Sequence, residues 1–191
     1  MTPCDLLFSN PAIEERFRAM VKKTNKEIGG YLILTSEPRT WPGLFDRRGV
    51  AGALRADIQH VYFIETVICL DNRSDQPVTT YRTLDIEAER DMAYSTAYLY
   101  GGWPIHFHSH PNNSPAPSTA DLIFAARWCE EIAGKAHFAI VTPDPLRVTM
   151  HSIEYTHTGS TPSKVSRCAG QFYSWRKADL HAIARRARFA S

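Results

Sequence analysis

Two histidines separated by one residue, followed at a set distance by a serine and an aspartate, are the part of this 191-residue chain best equipped for chemistry. The stretch reads His108-Ser109-His110-Pro111, then residues 112–117, then Ser118-Thr119-Ala120-Asp121. On an extended strand, residues i and i+2 point to one face, so both imidazoles can reach a single point. Asp121 falls one turn into a helix that opens at Ser118, and its carboxylate can return to that point. Two neutral imidazole nitrogens and one carboxylate oxygen make a three-donor zinc site. Its fourth tetrahedral position is left to water, which is the pattern of a catalytic rather than a structural centre. Such an ion lowers the pKa of its water toward ~7 and polarises a carbonyl. The stretch contains no general base, which has to come from elsewhere in the chain.

Plainer readings stand beside this one. Ser118 and Asp121 fit the N-cap and N3 positions of a capping box, a role compatible with metal binding. His106, two residues before His108, faces the same side. A His106–His108 pair would break the spacing to Ser118 and Asp121, so His106 reads as a pocket residue backing the ligands or as a plain strand histidine. His137, His151 and His157 have no spacing partners and read as background.

The elements that must position these groups alternate between helix and strand. Asn10-Pro11 reads as an N-cap with proline at N1, and Ile13, Phe17, Met20 and Val21 continue a helix over about 11–24. Tyr31-Leu-Ile-Leu after Gly29-Gly30 is a short strand. Residues 36–57 read as a long loop, Val61–Leu70 as a strand rich in β-branched and aromatic residues, and Asp71–Pro77 as a polar turn. A helix is expected over 84–100, stopped by Gly101-Gly102, then a strand over Pro104–His110. The helix from Ser118 runs through Leu122, Ala125, Ala126, Cys129 and Ile132 and closes at Gly134. His137–Thr142 and Arg147–Ile153 are strands joined by a Pro-Asp-Pro turn. Residues 157–168 read as a linker, and about 170–189 as a terminal helix. The expectation is an α/β protein with one central sheet.

Composition is that of a globular chain: 43% hydrophobic, 22% charged, and a net charge of 22 − 20 = +2. The small charge argues against a general nucleic-acid binder. No apolar run approaches the 18 residues of a membrane span, and the first residues do not form a secretory signal, so no membrane partner and a cytoplasmic location are expected. Cys4, Cys69, Cys129 and Cys168 stand far apart and form no paired metal motif. Residues 176–191 carry five Lys/Arg against Asp179, a local +4. This suits an acidic partner, a nucleic acid or an anionic membrane, or simply a solvated helix.

His108-x-His110, Ser118 and Asp121 together resemble the signature of the JAMM (MPN-plus) zinc metalloproteases. That family places a glutamate on its first core strand beside small residues, and Lys26-Glu27-Ile28-Gly29-Gly30 matches that position. The resemblance spans about residues 10–155 and implies an MPN fold, cytidine-deaminase-like, with a central mixed sheet flanked by helices. It implies a metalloprotease domain over 1–156, followed by a linker and basic helix over 157–191. It further implies that His108, His110 and Asp121 bind zinc, that Glu27 is the general base, and that Ser118 steadies the tetrahedral intermediate.

Members of that family typically cut after the C-terminal glycine of ubiquitin or a ubiquitin-like protein. The chain resembles the stand-alone, deubiquitinase-like isopeptidases of bacterial ubiquitin-like pathways, including antiviral operons. A ubiquitin-like protein or its conjugates is therefore the expected partner, with residues 36–57 and 71–83 as candidate groove walls. Three alternatives stay open: processing of a sulfur-carrier protein or precursor tail, release of a conjugated antiviral nucleotidyltransferase, and a non-catalytic MPN scaffold.

Overall fold

The computed structural model describes residues 4–38, 60–77, 81–82, 85–131, 135–154, 164–168 and 171–173. Helix α1 (Pro11–Lys23) begins as its sequence dictates. The Asn10 side chain accepts from the Ala12 N–H at 2.8 Å, and Pro11 occupies a position where no amide donor is needed. Phe17 and Val21, one turn apart, are buried. The Phe17 ring meets Phe107 edge-on at 5.3 Å and Phe8 at 5.8 Å.

One mixed sheet carries the rest. In chain order its strands are β1 (Cys4–Phe8), β2 (Gly29–Pro38), β3 (His60–Leu70), β4 (Trp103–Ser109), β5 (Lys135–Pro143), β6 (Leu146–Glu154), β7 (Lys164–Cys168) and β8 (Gln171–Tyr173). In space they run β7-β6-β5-β4-β2-β3-β1-β8. The β4–β5, β1–β3 and β1–β8 pairs are parallel and the others antiparallel. Only residues 169 and 170 separate β7 at one edge from β8 at the other. Three Cα steps reach at most about 11 Å, so the sheet must curl until its edges approach each other. β8 accordingly also contacts β6.

The sheet's two faces are covered differently. Leu6, Phe8, Leu32, Leu34, Ile105, Phe107, Ala139, Val141 and Val148 form the main core with Phe17 and Val21 of α1. The opposite face is capped by α2 (Ile86–Leu99), whose Ala93 and Ala97 pack on Tyr31 and Ile33. Helix α3 (Thr119–Glu131) lies against β5 and β6. Asp85 caps α2 through the Ala88 N–H at 3.0 Å, and Gly101, at φ +65°, turns the chain out of that helix.

The expected mixed α/β architecture is present, and most predicted elements from α1 to β6 form close to their expected bounds. β2 is the exception: expected over Tyr31–Leu34, it runs from Gly29 to Pro38 and takes in residues 36–38 of the expected loop, because β3 pairs with it along its whole length. Three further differences are findings. Cys4–Phe8 forms a strand that sequence reasoning missed. Leu6, Leu7 and Phe8 are all buried, and so short an apolar run lacks the alternation that marks a strand. Residues 164–168, expected as linker, pair with β6, and residues 171–173, expected as helix, pair with β1. Backbone pairing with two open sheet edges overrides a weak local preference there. Residues 174–191, with the rest of the expected helix and the basic segment, lie outside the described residues, as do 39–57 of the expected long loop and the closing Gly134. Among the described residues no helix is long and apolar enough to cross a membrane.

Candidate metal centre

Strand pairing sets the site. Gly29 of β2 lies opposite His108 of β4, and Gly30 opposite Phe107. Just before β2, Ile28 and Ser109 continue the register. The Ser109 N–H donates to the Ile28 carbonyl at 2.7 Å, and the Ile28 N–H donates to Ser109 Oγ at 2.9 Å. One step further on, Glu27 stands across from His110. Alternation therefore brings Glu27, Gly29 and Tyr31 onto the same sheet face as His106, His108 and His110. That is the face covered by α2 and α3.

Helix α3 supplies the third donor. The Ser118 N–H donates to Asp121 Oδ2 at 2.6 Å, and the Asp121 N–H donates back to Ser118 Oγ at 3.2 Å, a reciprocal capping box. The carboxylate held this way meets the histidines. Asp121 Oδ1 is 3.0 Å from His108 Nε2 and Oδ2 is 3.4 Å from His110 Nε2, while the two Nε2 atoms are 3.1 Å apart. The capping role and the donor role thus coexist in one residue pair.

This donor set fits a small divalent cation. A zinc tetrahedron with bonds of about 2.0–2.1 Å has edges of roughly 3.3 Å, and the two Nε2 atoms, each with its own nearest Asp121 oxygen, lie at 3.0–3.4 Å. Two imidazole nitrogens this close cannot both aim lone pairs at each other unless a proton or a cation lies between them. The His110 tautomer agrees. Its Nδ1 lies 2.9 Å from the Ser114 carbonyl, which can only accept, so Nδ1 carries a hydrogen and Nε2 is the nitrogen that can offer a lone pair to a metal once it is deprotonated. His108, His110 and Asp121 can hold a metal ion in this arrangement.

Electrostatics follow from burial and proximity. Burial raises the Glu27 carboxyl above its ordinary 4.5. The His108 and His110 charges partly counter this, and Asp121 adds to it. Burial works against a charge on His110, but hydrogen bonds to Asp121 and the Ser114 carbonyl, with the Asp121 and Glu27 charges, hold it above its usual 6.5. Burial also opposes the Asp121 charge, yet hydrogen bonds from His108 and His110 hold that carboxyl far below the usual range. His106 is pushed down to about 3, by burial first and by the His108 charge second, so it is neutral in ordinary solution.

The residues expected to form the site lie at or beside this point, with His106 behind it. His108, His110 and Asp121 converge, Glu27 feels all three charges, and Ser118 caps the helix that carries Asp121. His106 is outside the donor group. Its ring packs against Tyr31 and Tyr81, at 5.5 and 5.7 Å, and against Phe124 at 5.5 Å, with His108 at 6.3 Å. It forms an uncharged aromatic wall behind the ligands.

Sequence reasoning missed several supporting residues. Asn72 donates to the Glu27 and Pro77 carbonyls at 2.9 and 3.3 Å and accepts from the Ser74 and Arg82 N–H groups at 2.9 and 3.3 Å. The Glu27 N–H also donates to the Pro77 carbonyl at 2.6 Å. Residues 71–77 and 81–82 are thereby fastened to the candidate base. Tyr81, one of these, covers Gly29. A Cβ at position 29 would lie 2.6 Å from its ring and 2.8 Å from the Phe107 carbonyl oxygen, so only glycine fits. Gly30, at φ +146°, leaves no room either, since a Cβ would fall 1.9 Å from the Ile68 carbonyl oxygen. The small residues beside Glu27 are thus required by the backbone's close approach. Scanned against protein-family models and compared with curated proteins, the chain matches none.

Proposed function

We propose that this chain is a zinc-dependent peptidase of the JAMM type, acting on the amide bond that follows the C-terminal glycine of a ubiquitin-like protein. The observation that carries the reading is the convergence of two imidazole nitrogens and one carboxylate beside a buried glutamate: the Nε2 atoms of His108 and His110 are 3.1 Å apart, Asp121 Oδ1 is 3.0 Å from the first and Oδ2 is 3.4 Å from the second.

The reaction is addition of water across an amide, giving a carboxylate and an amine. Bound zinc supplies an acidified water and an electrophile for the carbonyl. Glu27, kept largely out of solvent, takes the water's proton and passes it to the departing amine nitrogen. Its raised pKa suits that exchange better than an ordinary carboxylate would. Ser118 Oγ accepts from the Asp121 N–H, so its own proton is left to donate to the developing oxyanion. Neutral His106 and the Tyr81 ring dry the inner wall, which strengthens each of these interactions. No step uses a cysteine.

The substrate class rests on the resemblance of Glu27-Ile28-Gly29-Gly30 and the His108–Asp121 stretch to that family. Residues 71–77 and 81–82, bound to Glu27 through Asn72, would form one wall of the path for an extended glycine tail. A cytoplasmic bacterial ubiquitin-like pathway, such as an antiviral one, is the setting that best suits this substrate. Zinc-loaded protein should release free ubiquitin-like protein ending in glycine from a conjugate or a precursor, as read by intact mass. Glu27→Ala protein with the same zinc content should release none. Equal cleavage by the two proteins, or no cleavage of any ubiquitin-like conjugate, would overturn the proposal.

A further inference from the structure

We infer that His151, thirty residues or more from every metal-centre residue in sequence, is a positioning residue for the metal centre. This rests on the metal-centre reading given above. His151 lies on β6, paired with Phe138 of β5, and its ring stacks on Phe138 at 5.2 Å with an interplanar angle of 22°. Phe138 in turn pairs with His106 on β4, so His151 stands two strands away from the histidine ligands. It is 1% exposed.

The imidazole reaches the site through the loop that links the two ligand elements. His151 Nε2 lies 3.0 Å from the Pro115 carbonyl oxygen. A carbonyl only accepts, so Nε2 carries the hydrogen and donates it. The preceding carbonyl, Ser114, accepts from His110 Nδ1 at 2.9 Å. Two consecutive carbonyls of the loop are therefore held by two histidines, one a candidate ligand and the other not. Three residues after Pro115 the chain enters the Ser118–Asp121 capping box.

The loop needs such an anchor. Pro111, Pro115 and Pro117 have no N–H, so the loop has few donors with which to close on itself. Its contacts also include local turns, in which Asn113 N–H donates to the His110 carbonyl at 3.0 Å, Ser114 N–H to Asn112 Oδ1 at 3.0 Å and Ala116 N–H to Ser114 Oγ at 3.3 Å, and one exposed bond from Asp144 N–H to Asn113 Oδ1 at 3.0 Å. The His151 bond ties the loop to β6, as the His110 bond ties it to the end of β4. If it is lost, the Pro115 peptide can rotate, the Ser114 carbonyl leaves His110 Nδ1, and the Asp121 carboxylate loses its fixed distance from both Nε2 atoms. An outer partner of this kind typically accounts for about 10–100-fold in metal affinity.

The test uses the full chain with zinc alone, by chelator competition, and cobalt as a spectroscopic reporter of ligand geometry. His151→Gln places an amide N–H where Nε2 stood, His151→Asn falls short of Pro115, and His151→Phe keeps the stacking but not the donor. The Gln variant should bind zinc within about threefold of wild type, whereas the Asn and Phe variants weaken it about 10–100-fold and shift the cobalt d–d bands. If the Phe variant does not fold, the Gln–Asn contrast decides alone. Wild-type affinity and cobalt spectrum in the Asn or Phe variant overturn the role. Equal losses in Gln and Asn that follow their melting temperatures overturn it too, leaving His151 a packing residue. Wild-type protein that binds no zinc overturns both this role and the metal centre, and so separates the two failures.

Discussion

Ser109 and Ile28 exchange two hydrogen bonds across the β2–β4 seam, N–H to carbonyl at 2.7 Å and N–H to Oγ at 2.9 Å. Ser109 sits between the two candidate ligands His108 and His110, and Ile28 directly follows Glu27. The exchange therefore locks the candidate base to the ligand strand. Ser109→Ala leaves the Ile28 amide without its partner and should cost about 1–3 kcal/mol of stability. Zinc stoichiometry should stay unchanged while kcat falls, because the ligands remain and the base is less fixed. Thermal melting and zinc content, measured on the same preparation, check this.

Glu27 carries opposite consequences for rate and stability. Glu27→Gln should lower the hydrolysis rate about 10²–10⁴-fold with zinc retained, and should remove the acid limb of the pH–rate profile. Burial raises this carboxyl above 4.5, so the folded state disfavours its charged form. The resulting penalty is absent below pH 4.5 and grows as pH rises through the folded pKa. Metal-free Glu27→Gln protein should therefore melt higher than metal-free wild type near pH 7, and no higher at pH 4. A lower melting temperature at both pH values would contradict the assignment.

His110 and Asp121 set a pH window for the metal-free chain. The His110 pKa is raised above 6.5, so its contribution is complete below 6.5 and is lost as pH rises through the folded value. The Asp121 pKa is lowered, so its contribution is complete above 3.8 and is lost as pH falls well below that. Metal-free protein should therefore melt highest in mildly acidic buffer and lose stability toward pH 8. Zinc, which competes with the His110 proton, should reverse the upper limb. Saturation at about 100 times Kd should add roughly 2.7 kcal/mol.

Gly29 gives a steric test of the groove wall. Gly29→Ala sets a methyl against the Tyr81 ring and the Phe107 carbonyl, and the latter is backbone that cannot swing aside. A loss of about 1–3 kcal/mol is expected. Tyr81→Ala in the same chain should restore only part of it. Calorimetric melting of the two variants reads this directly.

What could be read from the sequence was local. His108, His110, Ser118 and Asp121 are legible because strand alternation and a helical first turn turn spacing into geometry. The start of α1 is legible because Asn10-Pro11 caps it. What could not be read depends on partners far along the chain. The Ser109–Ile28, Asn72–Glu27 and His151–Pro115 bonds join residues 81, 45 and 36 positions apart. Only strand order brings them together, and His151 has no sequence neighbour to mark it. The strands at Cys4–Phe8, Lys164–Cys168 and Gln171–Tyr173 escaped for the same reason, since each is defined by the sheet edge it meets.

The central claim is that His108, His110 and Asp121 grip one divalent ion, and elemental analysis of purified protein tests it most directly. About one zinc per chain is expected in wild type, near zero in His108→Ala, His110→Ala and Asp121→Ala, and no change when any cysteine is replaced by serine. A metal-free wild type after zinc equilibration, or full zinc content in the Asp121 variant, would contradict it.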